Sequence, residues 1–445
     1  MASDGRGAAA RTLAVLFAIN AMNFFDRQIL GATGELLRIE WHLSDAALGA
    51  LGTAFTLLYA FVGVPFGWLA DRFPRRQILS AGVFVWSVLT AASGMANTFT
   101  QLFVVRLGVG IGEASCAPAA TSLIGDLFPP ERRGRALSIF MLGLPVGLAL
   151  SYLVSSFIAQ AWGWRAAFYV AGLPGILCAI AVLFVPEPAR GQAEGARSVG
   201  TRRRPGWSFA LVLGTPTMWW IILSGALHNF VMYALGAWLA PYLIRFHGAT
   251  VAQAGVLLTL SYGLAGGAGL LLGGRAADAM LTRRRGGRLL LGAAALALSV
   301  PLLYAALRVP AGRLAAFGLI LGVAMAVMYV YYAVVYSAIQ DVIEPALRGT
   351  AMALYFFAMY VLGASFGTWA VGYASDHYTR AAAAAAGIAL GDARALEPFR
   401  AAGLRAALLL LPLLGILLSI VVWAASRTVG RDMDRLQEWM RKEAA

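Results

Sequence analysis

The sequence has little charge and almost no lysine. Only 13% of its 445 residues are charged and 60% are hydrophobic, whereas soluble domains carry about 25% charged residues. Lys442 is the one lysine, so the body of the chain has neither a P-loop lysine nor a Schiff-base lysine. The two cysteines, Cys116 and Cys178, lie in apolar segments without metal-ligand spacing, and we expect them to be core residues. We therefore predict no metal, no cofactor and no enzymatic activity.

The apolar residues fall into blocks of about 20, the length that a helix needs to cross a bilayer core. A backbone in lipid must satisfy its own hydrogen bonds, so blocks of this length indicate helices. No cleavable signal peptide is expected, because Asp26 and Arg27 interrupt the first block. We predict an all-α membrane protein with twelve transmembrane helices. The predicted spans are 12–34, 46–70, 77–96, 101–125, 135–160, 165–186, 212–244, 251–273, 288–307, 312–340, 349–375 and 401–426.

The net charge of +14 lies mainly in short loops between the spans. Arginine clusters such as Arg75–Arg76, Arg132–Arg133 and Arg202–Arg204 occupy alternate loops. That distribution follows the positive-inside rule and does not indicate a nucleic-acid partner. We predict a multi-pass protein of the inner (cytoplasmic) membrane with both termini in the cytoplasm. We expect it to be a monomer surrounded by membrane lipid.

The sequence repeats itself at an offset of 206 to 215 residues. Three motifs recur: Gly67-Trp-Leu-Ala-Asp71 as Gly274-Arg-Ala-Ala-Asp278, Asp126 as Asp341, and Asn23-Phe24 as Asn229-Phe230. Two parallel repeats about an axis normal to the membrane are typical of major facilitator halves, which bind substrate near the midplane. We predict a six-helix bundle at 1–186, a cytoplasmic linker at 187–211, and a second six-helix bundle with a cytoplasmic tail at 212–445.

The loop between the second and third spans combines a glycine with acidic and basic residues. Such a cluster can pair across helix ends in one conformation and separate in another. The loop resembles the signature loop of the major facilitator superfamily, although Pro74 replaces the glycine of the family pattern. The conformational gate is predicted to comprise Gly67, Asp71, Arg72 and Arg75, with Asp278 in the second copy.

Four charged residues of the first half lie well inside predicted spans: Asp26, Arg27, Arg106 and Glu113. Charges at membrane depth cost several kcal/mol unless they are paired or hydrated, so they are functional candidates. Arg106 and Glu113 are seven residues apart, which places them on one helix face but about 10 Å apart along the axis. We predict a neutral quartet with Asp26 and Glu113 as proton-coupling acids, and Arg27 and Arg106 as charge partners or head-group ligands. A static salt-bridge network is the alternative.

The first half resembles the Spinster-like branch of that superfamily. The motifs are Asn23-Phe-Phe-Asp26-Arg27, Arg106-x-x-x-Gly110-Ile-Gly-Glu113, Ile124-Gly-Asp-Leu-Phe128 and Leu144-Pro145-x-Gly147. The resemblance implies proton-coupled export of lysophospholipids or sphingolipid phosphates, with the four charges above as functional residues. The organic anion symporter branch shares the charged motifs, so an organic-anion or drug carrier remains an alternative. A membrane sensor that has kept the fold is a third possibility.

The second half has no comparable charge cluster. Its polar candidates in the spans are aromatic or amide residues: His228, Asn229, Tyr233, Tyr329, Tyr332 and Tyr336. The last three are spaced i, i+3 and i+7 and therefore share one helix face. Rings with polar tips could line the pathway of an amphiphile, although ordinary helix packing explains them equally well. The predicted partners are thus an amphiphilic lipid or a small organic substrate, together with protons.

Overall fold

A computed structural model describes residues 2–70, 72–189, 208–344, 347–388 and 394–444. Twelve long helices make up most of these residues, and a short helix, Ser208–Leu213, precedes the seventh. The long helices are α1 (Ala2–Trp41), α2 (Asp45–Ala70), α3 (Arg75–Ser93), α4 (Phe99–Leu127), α5 (Arg135–Trp162), α6 (Trp164–Leu183), α7 (Pro216–His247), α8 (Val251–Arg283), α9 (Gly287–Arg308), α10 (Leu314–Val342), α11 (Arg348–Ala385) and α12 (Glu397–Arg441).

Eleven of these helices are long and apolar enough to span a membrane within the described residues. The exception is α3, a helix of 19 residues whose first turn contains Arg75, Arg76 and Gln77. That charged turn lowers its mean hydropathy, although its remaining turns are apolar. The all-α architecture with twelve spans is confirmed.

The helices form two compact units, each with its own apolar core. The first contains α1–α6, and the second contains most of α7–α12, while Leu239–Ile244 and Thr250–Thr259 group with the first unit. In the first unit Trp86 is a fully buried member of the core. In the second unit Tyr331 and Tyr355 are fully buried members of the core. Residues 190–207 of the predicted linker lie outside the described residues, so the predicted domain bounds stay a prediction.

Glycines allow the same helix crossing to form in each unit. A Cβ added to Gly147 of α5 would lie 2.2 Å from the Ala21 carbonyl oxygen of α1. In the second unit, a Cβ added to Gly363 of α11 would lie 2.2 Å from the Ala226 carbonyl oxygen of α7. Real Cβ atoms do not approach this closely, so both crossings require glycine. The repeat read from the sequence is therefore also present in the helix packing.

The polar region at 375–400 is more helical than the predicted span boundary implied. Helix α11 continues to Ala385, ten residues beyond the predicted end at 375. The reason is that polar residues of this extension are buried against the protein, where Arg400 Nη1 lies 3.4 Å from Asp376 Oδ1. Arg38, expected in an outer loop, likewise lies in α1, where its Nη2 is 2.9 Å from Glu35 Oε1.

Candidate functional site

The four predicted intramembrane charges come together in the first unit. Asp26 and Arg106 are each 1% exposed, and Glu113 is fully buried. Arg27 forms an ion pair with Glu113, with 2.9 Å between Nε and Oε2. This pair connects α1 with α4 at a depth where neither charge is solvated.

Asp26 and Arg106 interact differently from the predicted quartet. The Asp26 carboxylate accepts a hydrogen bond of 3.1 Å from the Thr90 hydroxyl. Arg106 Nη2 donates to the backbone carbonyl of Asp26 at 3.4 Å, and the two side chains form no ion pair among the described residues. Within the same residues, Asp26 Oδ1 and the Nε and Nη1 atoms of Arg106 are buried without a hydrogen-bond partner. The site thus contains one direct ion pair, and Asp26, Arg106 and Glu113 each have at least one buried polar atom without a hydrogen-bond partner among the described residues.

Aromatic rings from α1 and α2 surround both arginines. The Arg27 guanidinium carbon lies 4.1 Å from the Tyr59 ring centroid and 5.0 Å from that of Phe24. The Arg106 guanidinium carbon lies 5.0 Å from the Phe55 ring centroid. Cation–π attraction compensates part of the lost hydration. The sequence reasoning missed Phe55 and Tyr59, although their i, i+4 spacing on α2 places them on one face.

Close packing of α3 on α4 brings Thr90 into the site. A Cβ added to Gly112 of α4 would lie 2.8 Å from Cβ of Trp86 in α3. Thr90, one helical turn beyond Trp86, is fully buried and reaches the Asp26 carboxylate. A lone threonine in an apolar span carries no signal of such a role, so it could not be predicted from the sequence.

The predicted polar residues of the second unit form one aromatic cluster. The His228 ring stacks on Tyr331 with 3.9 Å between centroids, and it meets the edge of Tyr332 at 4.9 Å. The Tyr332 hydroxyl lies 3.5 Å from Asn229 Oδ1. The centroid distances along α10 are 5.6 Å from Tyr329 to Tyr332 and 5.8 Å from Tyr332 to Tyr336. Tyr233 contacts Tyr360, at 6.3 Å between centroids.

Buried hydroxyl groups lie behind this cluster. Tyr331 shares hydrogen bonds with Ser224, at 2.9 Å, and with Tyr355, at 3.2 Å. The sequence reasoning missed these three residues and Tyr360. The spacing of the tyrosines on α10 predicts that they share one face of that helix. It does not predict which residues of α7 and α11 complete the cluster.

The predicted gate residues of the first unit have separate environments. Arg75 contacts Asp126 and also Glu187, with 2.7 Å between Nε and Oε1. Arg72 is exposed and stacks over Trp68 at 3.8 Å, and Asp71 lies outside the described residues. Gly67 makes no close helix contact among the described residues, because an added Cβ would meet no heavy atom within 4 Å.

Glu187 was not predicted to have a role. Besides its contact with the Arg75 side chain, its carboxylate accepts hydrogen bonds from the backbone amides of Arg75, at 3.2 Å, and Arg76, at 2.9 Å. It therefore caps the amino-terminal turn of α3, where a carboxylate is stabilised by unpaired amides and the helix dipole. The sequence places Glu187 only at the start of the predicted linker, 187–211.

The second unit repeats this arrangement around Arg288. Its guanidinium lies 2.6 Å from Asp341 and 2.7 Å from the predicted gate residue Asp278. The repeat extends to two backbone contacts: Arg133 donates to the Gly125 carbonyl at 2.7 Å, and Arg348 donates to the Gln340 carbonyl at 2.9 Å. Each unit thus has one arginine, Arg75 or Arg288, that is held between two acids. Each unit also has a second arginine, Arg133 or Arg348, that donates to a backbone carbonyl at the end of a helix.

The described residues contain no group of three or more His, Cys, Asp or Glu side chains that could hold a metal ion.

Sequence comparison assigns the chain to a transporter family. The Major Facilitator Superfamily profile matches residues 16–368. An MFS-type efflux pump of Mycolicibacterium smegmatis (strain ATCC 700084 / mc(2)155) is 29% identical over 94% of this chain and 93% of its own length. The Sphingosine-1-phosphate transporter SPNS2 of Xenopus tropicalis is 30% identical over 80% of this chain and 72% of its own length.

A solved structure with the same architecture agrees with these relatives. It is a bacterial homolog of the human lysosomal transporter Spinster, in an inward-facing and occupied conformation. It is 26% identical, covers 94% of this chain and 97% of its own, and has a TM-score of 0.80. The matched proteins are transporters, not enzymes. The chain therefore belongs to the Major Facilitator Superfamily and is a Spinster-like transporter.

Proposed function

We propose that the chain is a proton-coupled secondary transporter that moves a lysophospholipid or sphingolipid-like amphiphile by alternating access. The observation that carries this proposal is the environment of Arg106. Its guanidinium is buried, lies over Phe55, and has two nitrogens without a hydrogen-bond partner among the described residues. A planar guanidinium with unused donors suits a phosphate head group, and the neighbouring ring suits an apolar chain.

Proton coupling is supported by the two acids beside this arginine. Protonation of Glu113 would remove its charge and weaken the ion pair with Arg27, which connects α1 to α4. Protonation of Asp26 would break no ion pair, because its carboxylate is held by Thr90. Proton binding at Glu113 would therefore favour a different arrangement of these helices, whereas proton binding at Asp26 would change only the charge near the substrate.

The clusters around Arg75 and Arg288 would act as the conformational gate. Each is an arginine held by two acids from different segments of one unit. Such clusters can hold one state of the cycle and separate in the other. We assign both clusters and both chain termini to the cytoplasmic side of the inner membrane. In the second unit, the part-exposed tyrosines of α7 and α10 would line the substrate pathway.

A small organic anion or drug is the alternative cargo. The efflux pump of M. smegmatis matches nearly the whole chain. Similarity over the full length therefore does not favour a lipid cargo over a small-molecule cargo. The charged site fits an anionic group whether that group belongs to a lipid or to a small molecule.

Uptake into proteoliposomes tests the proposal. A fluorescent lysophospholipid would be offered with and without a pH gradient to wild-type protein and to Glu113→Gln. We expect gradient-dependent uptake by the wild type and loss of the gradient dependence in the variant. The matched control is Glu40→Gln, since Glu40 pairs with Arg165 in an exposed position. Transport of a small organic anion without any lipid uptake would establish the alternative cargo.

A further inference from the structure

We propose that four tyrosines of the second unit form a site for an alkylammonium group of the cargo. These four, the tyrosine cage, are Tyr233 of α7, Tyr332 and Tyr336 of α10, and Tyr360 of α11. The inference rests on the proposed function, because it concerns the cargo of the same transporter. It adds a preference for a positively charged group that the charged site of the first unit does not explain.

The cage residues differ in burial from the tyrosines behind them. Tyr331 and Tyr355 are fully buried, and Tyr329 is 2% exposed, which is the burial expected of core residues. The four cage tyrosines are all part-exposed. Tyr332 is central, because its ring centroid lies 5.8 Å from that of Tyr336, and its hydroxyl lies 3.5 Å from Oδ1 of Asn229, one helical turn before Tyr233 on α7. The cage thus presents ring surface and hydroxyl groups that core packing has not covered.

The chemistry of the cage favours a cation. Ring faces, tyrosine hydroxyls and Asn229 Oδ1 supply negative potential and hydrogen-bond acceptors. The parts of the three helices that carry the cage, residues 217–244, 314–340 and 349–375, contain no Asp, Glu, Lys or Arg. An anion would find no positive partner on these segments, whereas an ammonium group can lie against several ring faces without a counter-ion.

Two further features indicate that the cage is built for binding. Tyr360 lies in a π-helical segment, Met359–Ala364, and such interruptions of α-helices often occur at functional sites. His228 is fully buried behind the cage, meets the edge of Tyr332, and has no hydrogen-bond partner for either ring nitrogen among the described residues. A buried imidazole in this state costs free energy. We assign it a positioning role, because it fixes the ring of Tyr332.

Two lysophospholipids that differ only in the head group test this inference. Proteoliposomes would receive a fluorescent lysophosphatidylethanolamine, which has an ammonium group, or the matching lysophosphatidylglycerol, which has none. We expect wild-type uptake to favour the ethanolamine lipid by about five- to thirtyfold, the range between an exposed and a desolvated cation–π interaction. Tyr332→Leu and Tyr336→Leu should lose this preference, whereas Tyr332→Phe should keep most of it because the ring remains.

Controls separate loss of the cage from loss of the fold. Tyr304→Leu changes an exposed tyrosine of α9 and should leave the preference unchanged. Each variant should elute as a single species in size-exclusion chromatography. Because the Phe variant retains the ring, it tests the cage even where a Leu variant fails to fold.

The outcomes distinguish this inference from the proposed function. Equal uptake of both lysophospholipids by the wild type would overturn the cage and leave lipid transport intact, as would a preference that survives both Leu variants. If neither lipid is transported, lipid transport fails. In that case the cage is tested with ethidium, a small organic cation. Ethidium transport that depends on Tyr332 and Tyr336 would support the cage, and transport independent of them would overturn it.

Discussion

The buried ion pair between Arg27 and Glu113 allows a quantitative prediction. The two side chains are 5% and 0% exposed and lie 2.9 Å apart. Removing one partner of such a pair leaves a buried charge without compensation and costs about 3–5 kcal/mol. Aromatic rings around Arg27 should recover about 1 kcal/mol when Glu113 is removed. We therefore expect Glu113→Gln to cost about 2–4 kcal/mol. The cost of Arg27→Gln should depend on pH, because the buried carboxylate that remains can take up a proton, whereas an arginine cannot lose its charge.

The double variant determines whether the two charges depend on each other. Replacing both residues by Gln removes the charge that either single change would leave buried, so the two costs should not add. We expect a coupling free energy of about 2–4 kcal/mol, within the range known for close charge pairs. For a chain of this length, about 1 kcal/mol corresponds to a change in melting temperature of about 1 °C, from the average entropy of unfolding per residue.

Thermal unfolding in detergent measures this coupling, and an exposed pair provides the control. Arg165 and Glu40 also form a close pair, at 2.7 Å, but their side chains are 32% and 43% exposed. Their double-variant cycle should give a coupling of about 0–1 kcal/mol. Additive losses at Arg27 and Glu113, or equal coupling in the two pairs, would refute the reasoning that burial makes the inner pair interdependent.

Three further predictions follow from other contacts. Glu187→Gln should lower the melting temperature by about 1–3 °C, because it weakens both the α3 cap and the Arg75 ion pair; an unchanged melting curve would exclude both roles. Gly363→Val should abolish the peak of folded protein in size-exclusion chromatography, because its Cβ would overlap the α7 backbone, whereas Gly67→Ala has open space; equal yields would contradict the close crossing. Arg106→Lys should reduce lysophospholipid uptake about tenfold, because a lysine cannot donate in the planar bidentate geometry; full uptake would exclude Arg106 as the phosphate ligand.

Much of the fold follows directly from the sequence. Apolar blocks of bilayer length predict spans, and a repeat at an offset of 206 to 215 residues predicts two related halves. The exact ends of the helices do not follow in the same way. Helix α11 runs to Ala385 because Asp376 pairs with Arg400, which lies beyond the end of this helix in the sequence. A hydropathy profile contains no information about such a tertiary contact.

The site was predictable only in part, for a related reason. Charges inside spans are costly, so Asp26 and Glu113 are conspicuous in the sequence. Which of the four predicted charges pair directly does not follow from the sequence, because pairing depends on side-chain conformations and on which helix lies opposite. Thr90 and Phe55 are ordinary residues for a membrane helix, and only the packed structure shows them beside a charged group.

The glycine crossings also limit how the transporter can move. At Gly147 and Gly363, two backbones touch with no side chain between them. A contact of this kind has no flexible layer that could absorb sliding, so α1 with α5, and α7 with α11, must each travel as one rigid pair. Any rearrangement inside a unit during transport must therefore take place at interfaces where larger side chains can change rotamer.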